Sequence, residues 1–157
     1  MNSLLQVLHE DDRLIAVAKP AGQDTIPARG RALLEPLNLE VARRVGGRVF
    51  VVHRLDREAS GLILFAKDAE AHRLLCVRFE QHKVDKTYLA LVQGRVDKEG
   101  VVELPLRAFG SGRIGVDAAG RPSLTRYRPL RAFAQATLLE ARPMTGRRHQ
   151  LRVHLYA

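Results

Sequence analysis

Cysteine, tryptophan and long apolar runs are scarce or absent in this 157-residue chain. Cys76 is the single cysteine, so no disulfide can form within the chain. No stretch approaches the roughly 20 apolar residues that a membrane-spanning helix needs. The first residues, MNSLLQVLHEDDR, contain an acidic cluster where a secretory signal would have basic and then apolar residues. We therefore expect a cytoplasmic protein without a membrane partner, and we expect a monomer.

Lysine is scarce throughout the chain, and acidic residues are scarce in its C-terminal third. The chain has 5 Lys against 21 Arg, and residues 100–157 contain ten Arg, no Lys and three acids. That stretch has a net charge of +7 out of +9 for the chain. Arginine binds phosphates through paired hydrogen bonds and stacks on bases, so concentrated Arg predicts a polyanionic partner such as a nucleic acid. A GC-rich genome would also raise the Arg content, and composition leaves both explanations open.

The periodicity of apolar residues predicts a single α+β domain over residues 1–157. A helix is predicted at 32–45, where Gly46 and Gly47 follow, and another begins after the N-cap Asp68. Residues 148–156 have helical character. Strands are predicted at two places within 4–19, on either side of a turn at 10–12, and at 49–53, 62–66, 87–93, 101–106, 125–133 and 137–142.

Gly110, Gly112 and Gly115 match the glycine spacing of the dinucleotide-binding fingerprint. That fingerprint requires a helix directly after the glycines, whereas turn-forming residues follow here at 117–122. The acidic residue expected about 20 positions further on is missing as well. We predict a flexible glycine loop at 110–115.

The histidines do not form a metal-binding pattern. A zinc site needs three or four converging ligands. His149 and His154 are five residues apart, a spacing that does not place them on one helix face, and His53 with Asp56 supplies only two ligands. We predict no metal, which argues against a metal-dependent hydrolase.

Asp56 lies in a polar segment, 54–61, between two predicted strands, with Arg54 and Arg57 on either side. Loops on a rigid sheet often carry catalytic residues. An aspartate in such a place also organises turns through its side chain. Spacing alone favours that simpler interpretation.

Four segments resemble, in the same order, the motifs of RluA-like pseudouridine synthases. They are KPAG at 19–22, HRLDREASGLILFAK at 53–67, KTYLALVQG at 86–94 and TGRRHQLRVH at 145–154. The segment GRPSLTRY at 120–127 fits the strand before the last motif. The resemblance extends from Leu14 onward, and four ordered motifs are far more specific than any one of them.

This resemblance implies an α+β fold with a mixed, largely antiparallel sheet and flanking helices. It implies isomerisation of specific uridines in structured rRNA or tRNA to pseudouridine, with no metal and no small-molecule cofactor. The family pattern continues through a Gly-x-Pro…Gly-Asp segment, so we expect the C-terminal part of the catalytic domain to be missing, along with any S4-type RNA-binding domain. That early end motivates one alternative, a catalytically impaired RNA-binding relative.

The resemblance also implies roles for single residues. Asp56 matches the catalytic aspartate, which acts as nucleophile or base, and Tyr88 matches the tyrosine that stacks on the target base. Arg152 matches the basic residue that pairs with that aspartate. Arg54 matches an arginine that handles the flipped nucleotide. The other predicted RNA-binding residues are Arg57, Arg147, Arg148, His149 and Gln150.

Overall fold

The computed structural model describes residues 5–27 and 34–157, which form two compact units that divide between Lys83 and Val84. Within the described residues all strand pairs are antiparallel, and three helices accompany them. This confirms the predicted α+β class with a largely antiparallel arrangement. The organisation of residues 1–157 as a single domain stays a prediction.

The first unit is built on a four-stranded sheet. Its strands are β1 (Gln6–Glu10), β2 (Leu14–Lys19), β3 (Phe50–Val51) and β4 (Gly61–Ala66), and they lie in the order β1-β2-β4-β3. The predicted strand at 49–53 is therefore shorter than expected, whereas those at 14–18 and 62–66 are confirmed. The apolar core residues with no exposed surface are Ile15, Val17, Leu37, Val41, Ile63, Phe65 and Ala66.

Two helices belong to this unit, α1 (Leu37–Val45) and α2 (Ala69–Glu80). The helix predicted at 32–45 starts later, because Pro36 has an extended backbone (φ −57°, ψ 136°) and the residue before a proline is pushed out of the helical region. Positions 32 and 33 lie outside the described residues. Gly46 ends α1 in the left-handed conformation, and the Asp68 carboxylate caps α2 by accepting the Ala71 amide at 2.8 Å, both as predicted.

The second unit contains a sheet in the order β5-β10-β9-β6. These strands are β5 (Tyr88–Gln93), β6 (Gly100–Glu103), β9 (Leu124–Ala132) and β10 (Ala136–Pro143). The strand predicted at 101–106 is divided, since β6 ends at Glu103 and β7 (Leu106–Ala108) starts after Pro105, which has no amide proton for a strand ladder. One face of the sheet is buried, including Thr125, Thr137, Leu139 and Ala141.

The loop predicted at 110–115 belongs to a hairpin, in which Gly110 and Gly112 lie in the turn and Gly115 is part of a strand. β7 pairs with β8 (Ile114–Val116), and Gly112 has a φ of 80° in the turn between them. Gly115 lies within β8, where a Cβ would stand 3.2 Å from the Phe109 ring. The glycines therefore serve a tight turn and the close packing of an aromatic ring.

The last helix, α3 (Gln150–His154), is shorter than the predicted 148–156. His149 precedes it in the left-handed conformation, with a φ of 54°, so the helix cannot begin at Arg148. Across the described parts of the chain, the helices are all too short or too polar to span a bilayer.

Candidate active site

Asp56 lies in the connection between β3 and β4, as the sequence predicts. Its carbonyl oxygen accepts the Ala59 amide at 3.1 Å, which closes a turn. Leu55 is buried, while Asp56 is half-buried. Gly61, with a φ of 138°, starts β4 beside Leu55, whose Cδ1 lies 3.6 Å from the position of a Cβ on that glycine. The buried side chain of Leu55, next to Asp56, therefore holds this loop against the first unit.

Hydrogen bonds from the segment after β2 fix both neighbours of Asp56. The Thr25 hydroxyl donates to the Leu55 carbonyl at 3.1 Å. The Gly22 amide donates to the Arg57 carbonyl at 2.8 Å, and Arg57 Nε donates back to the Gly22 carbonyl at 3.1 Å. The backbone on each side of Asp56 is thereby held in place.

Lys19, at the end of β2, is only 1% exposed. Its ammonium group donates to the carbonyls of Pro20 at 2.8 Å, Gln23 at 2.7 Å and Arg57 at 3.1 Å, which uses all three protons. Burial lowers the pKa of Lys19, and nearby carboxylates, Asp56 among them, partly offset this effect. Sequence reasoning missed this function of the KPAG motif, because the backbone fold that turns these three carbonyls towards one ammonium group, with Arg57 38 residues away, is not visible in a motif.

His53 supports the sheet next to the loop. Its Nε2 accepts a hydrogen bond from the Leu64 amide at 3.0 Å. Leu64 belongs to β4 and lies beyond the last residue pair of β3 and β4, Val51 with Phe65. The ring also stacks on Phe79, with centroids 4.7 Å apart and planes at 19°. Because Nε2 accepts, the neutral ring carries its proton on Nδ1.

The arginines of this loop differ in their surroundings. Arg54 is exposed, whereas Arg57 is half-buried and bonded to Gly22.

Among residues 5–27 and 34–157, no three His, Cys, Asp or Glu side chains form a group that could hold a metal ion.

Tyr88 is the first residue of β5 and lies opposite Ala141 of β10. It is half-buried, in contrast to Leu89, which is 69% exposed on the other face of the strand. Two residues earlier, Lys86 Nζ donates to the Thr145 carbonyl at 3.5 Å, and burial lowers the pKa of Lys86. Lys86 therefore connects the motif of Tyr88 to the start of the basic motif, a contact that spacing could not reveal.

The basic motif at 145–154 places its arginines differently. Arg147 donates from Nε and Nη2 to the Pro122 carbonyl, both at 3.4 Å. Burial, with repulsion from Arg121, lowers the pKa of Arg147. Arg148 is exposed and donates from Nε to His149 Nε2 at 3.0 Å.

Gln150 is 4% exposed and bonded within the second unit. Its Oε1 accepts the Thr145 hydroxyl at 2.8 Å and the Arg147 amide at 3.0 Å. Its Nε2 donates to the Leu124 carbonyl and to Thr125 Oγ1, each at 3.0 Å. The RNA contact predicted for Gln150 finds no support in this geometry, because its amide oxygen and both amide protons are already used.

The predicted site residues thus fall into two groups by unit. One loop of the first unit carries Arg54, Asp56 and Arg57. The second unit carries Tyr88, Arg147, Arg148, His149, Gln150 and Arg152. The pairing of Asp56 with Arg152 stays a prediction.

The fold has close counterparts among solved structures. The chain is similar to human RNA Pseudouridylate Synthase Domain Containing 1, with a TM-score of 0.80 and 25% identity over 96% of this chain and 64% of that one. It is similar to human RNA Pseudouridylate Synthase Domain Containing 4, with a TM-score of 0.76 and 26% identity over 96% and 63%. The two units therefore have the fold of pseudouridylate synthase domains.

The family model for RNA pseudouridylate synthase matches residues 13–157, and the chain belongs to this family. It is 40% identical to ribosomal large subunit pseudouridine synthase D of Nitrosomonas europaea, over 96% of this chain and 46% of the relative. It is 40% identical to ribosomal large subunit pseudouridine synthase C of Vibrio cholerae, over 94% and 48%. It is 35% identical to tRNA pseudouridine synthase C of Haemophilus ducreyi, over 96% and 68%. The RluA-like resemblance is confirmed, and the chain spans about half the length of the first two relatives.

Proposed function

We propose that this chain isomerises uridines in rRNA or tRNA to pseudouridine, with Asp56 as nucleophile or base. The observation that carries the proposal is the Asp56 loop, which holds the family signature between two strands. Its backbone is fixed on both sides by Thr25, Gly22 and the buried Lys19. The names of the relatives, which refer to the ribosomal large subunit and to tRNA, support RNA as the substrate.

The reaction needs few groups. The bond between ribose C1′ and uracil N1 breaks, the ring turns, and a new bond joins C1′ to C5. C5 then loses its proton and N1 gains one, so the product is an isomer of the substrate. A base stacked in RNA cannot turn, so the nucleotide must be flipped into a pocket. An ionised carboxylate either attacks as a nucleophile or removes a proton, and Asp56 supplies it.

Two further side chains complete the proposed site. Tyr88 provides an aromatic face that replaces the stacking lost when the base flips. Arg152 provides a guanidinium group, which favours the charged form of a nearby carboxylate. Arg54, Arg57, Arg147, Arg148 and His149 are proposed to contact the RNA.

The broader proposal is a cytoplasmic, monomeric enzyme that acts without metal or cofactor. The part of it that concerns cofactors is supported by a reaction that exchanges no electrons and needs no group carrier. The alternative of an impaired RNA-binding relative finds no support among the relatives, whose names are those of synthases.

The test is release of tritium from RNA labelled at uridine C5, because joining C1′ to C5 sets that hydrogen free. Asp56→Asn keeps the shape of the side chain and removes its charge, so release should fall to background without a change in melting temperature. Glu58→Gln removes the same charge two residues away and should keep its rate. Activity of Asp56→Asn within tenfold of the unmodified chain would refute the assignment.

A further inference from the structure

Helix α3 is too short to be stable alone. It has five residues, and isolated helices below about 12–15 residues are marginal in water. Gln150 and His154, one turn apart, are 4% and 2% exposed, whereas Arg152 between them is exposed. The geometry of Arg152 therefore depends on what holds the buried side of α3.

Thr125 of β9 holds both buried residues of the helix. Its hydroxyl lies 3.0 Å from Gln150 Nε2 and 2.9 Å from His154 Nδ1, and the residue is fully buried. His154 Nε2 lies 3.0 Å from the Leu104 carbonyl. A single hydroxyl thus joins the first turn of α3 to its last residue.

The direction of each hydrogen bond follows from the donors available. The Leu104 carbonyl can only accept, so His154 Nε2 carries a proton and Nδ1 of the neutral ring accepts. The Thr125 hydroxyl must then donate to His154, which leaves its oxygen to accept from the Gln150 amide. The chain of donation runs from Gln150 through Thr125 and His154 to Leu104 without a conflict, and each link requires the next.

We infer that Thr125 is a positioning residue, which fixes α3 through Gln150 and His154 and so sets the direction of the Arg152 guanidinium. The inference rests on the proposed function of Arg152. Misplacing a catalytic group by about 1 Å costs roughly a hundredfold in rate. Loss of the hydroxyl should therefore act on turnover more than on RNA binding.

The test compares three single variants of the whole chain. Thr125→Val keeps the volume and removes the hydroxyl, and we expect kcat for tritium release to fall by roughly 10- to 100-fold, with the RNA Kd within twofold. Thr125→Ser keeps the hydroxyl and should restore the rate to within threefold. Thr137→Val is the matched control.

Thr137 is equally buried in the same unit, and its hydroxyl donates to the Gly94 carbonyl at 2.9 Å and accepts the Val96 amide at 3.1 Å. Neither of these two hydrogen bonds involves a residue of α3. Thr137→Val should cost similar stability and leave kcat unchanged. Equal loss of rate in the Thr125→Val and Thr137→Val variants would overturn the inference, as would an unchanged rate in Thr125→Val.

A double-mutant cycle tests whether Thr125 acts through Arg152. Arg152→Gln should slow tritium release, and adding Thr125→Val should then cost less than threefold more. Full additivity of the two losses would contradict the inference, because it would mean that Thr125 acts independently of Arg152.

Hydrogen exchange separates this inference from the proposed function. The amides of Val153 and Leu155 donate within α3 to the carbonyls of His149 and Leu151 at 3.0 and 2.9 Å. Their exchange should accelerate in Thr125→Val and not in Thr137→Val. If Arg152→Gln kept its full rate, the proposed role of Arg152 would fail, and the exchange rates alone would decide whether Thr125 fixes the helix. Unchanged exchange in Thr125→Val would overturn that anchoring.

Discussion

At the scale of single residues, Lys19 shows how a buried charge can order the loop that carries Asp56. Burying an ammonium group is costly unless hydrogen bonds replace its water. The carbonyls of Pro20, Gln23 and Arg57 make that replacement. Because Arg57 follows Asp56 directly, the lysine ties the proposed nucleophile to the end of β2.

Replacing Lys19 tests this tie. Lys19→Met keeps the apolar stem and removes one donor from each of three carbonyls, of which that of Arg57 still accepts the Gly22 amide, so we expect a loss of about 2–4 kcal/mol in the free energy of unfolding. Lys67→Met is the control. The ammonium group of Lys67 donates two hydrogen bonds, to the Glu10 carboxylate and to the Asp11 carbonyl, but this side chain is partly exposed. This substitution should cost under about 1 kcal/mol. If urea unfolding gave equal losses for the two variants, the buried hydrogen bonds of Lys19 would contribute no more to stability than those of the partly exposed Lys67.

Tyr88 offers a second test at this scale, because its ring and its hydroxyl can be removed separately. Tyr88→Phe keeps the stacking face, whereas Tyr88→Ala removes it. If stacking on the flipped base is the main contribution, RNA binding should survive the first change and weaken by about 1–3 kcal/mol in the second. Filter-binding affinities measure both, and equal weakening would point to the hydroxyl.

At the scale of elements, the sequence predicts best where apolar side chains alternate. The strands around 14–18, 62–66 and 137–142 are confirmed because burial of one face or both leaves little freedom of register. The errors concern mainly the ends of elements. Pro36 delays α1, Pro105 divides a predicted strand, and the left-handed backbone of His149 delays α3.

The motifs predicted the loop of Asp56 and the order of the elements, but not the side chains that hold them. Lys19, Thr125 and Gln150 act through carbonyls and hydroxyls that are distant in sequence. Such contacts depend on how strands and loops fold against each other. A motif marks these positions without revealing whether they bind RNA or the protein itself, as Gln150 shows.

The buried His154 predicts a dependence of stability on pH at the level of α3. Burial lowers the pKa of His154, although its bond to the Leu104 carbonyl opposes the shift. Below a pH of about 6.5 the unfolded chain therefore binds a proton that the folded chain does not. The contribution of His154 to stability is present above that pH and is lost as the pH falls further.

Melting temperatures between about pH 7.5 and about pH 5 check this expectation. The unmodified chain should lose stability towards pH 5, and His154→Gln, which cannot titrate, should lose less over the same interval. His9→Gln removes an exposed histidine that pairs with Asp11 and serves as the control. The same pH dependence in His154→Gln and the unmodified chain would contradict the assignment.

At the scale of the whole molecule, the excess of arginine is only partly neutralised inside the second unit. Arg128 and Arg142 both pair with Glu140, and Arg107 pairs with Asp117. Arg95 pairs with Asp97 as well, whereas in the described part of the chain the exposed Arg126, Arg131 and Arg148 form no ion pair. Such side chains remain available for phosphates, as expected if the +9 charge serves RNA binding.

The salt dependence of RNA binding distinguishes this function from a bias of composition. Each arginine–phosphate contact on a single strand contributes a slope of about −0.7 in a plot of log K against log salt. Replacing Arg126 and Arg131 together by Gln should therefore flatten the slope by about 1.4 if both contact the backbone. Arg73→Gln with Arg78→Gln removes the same charge from exposed positions of α2. If the two double variants change the slope equally, the charge acts only through its sum; if neither changes it, the arginines reflect composition alone. A flatter slope confined to the variant of the second unit would locate the phosphate contacts on the strand β9 that carries Arg126 and Arg131.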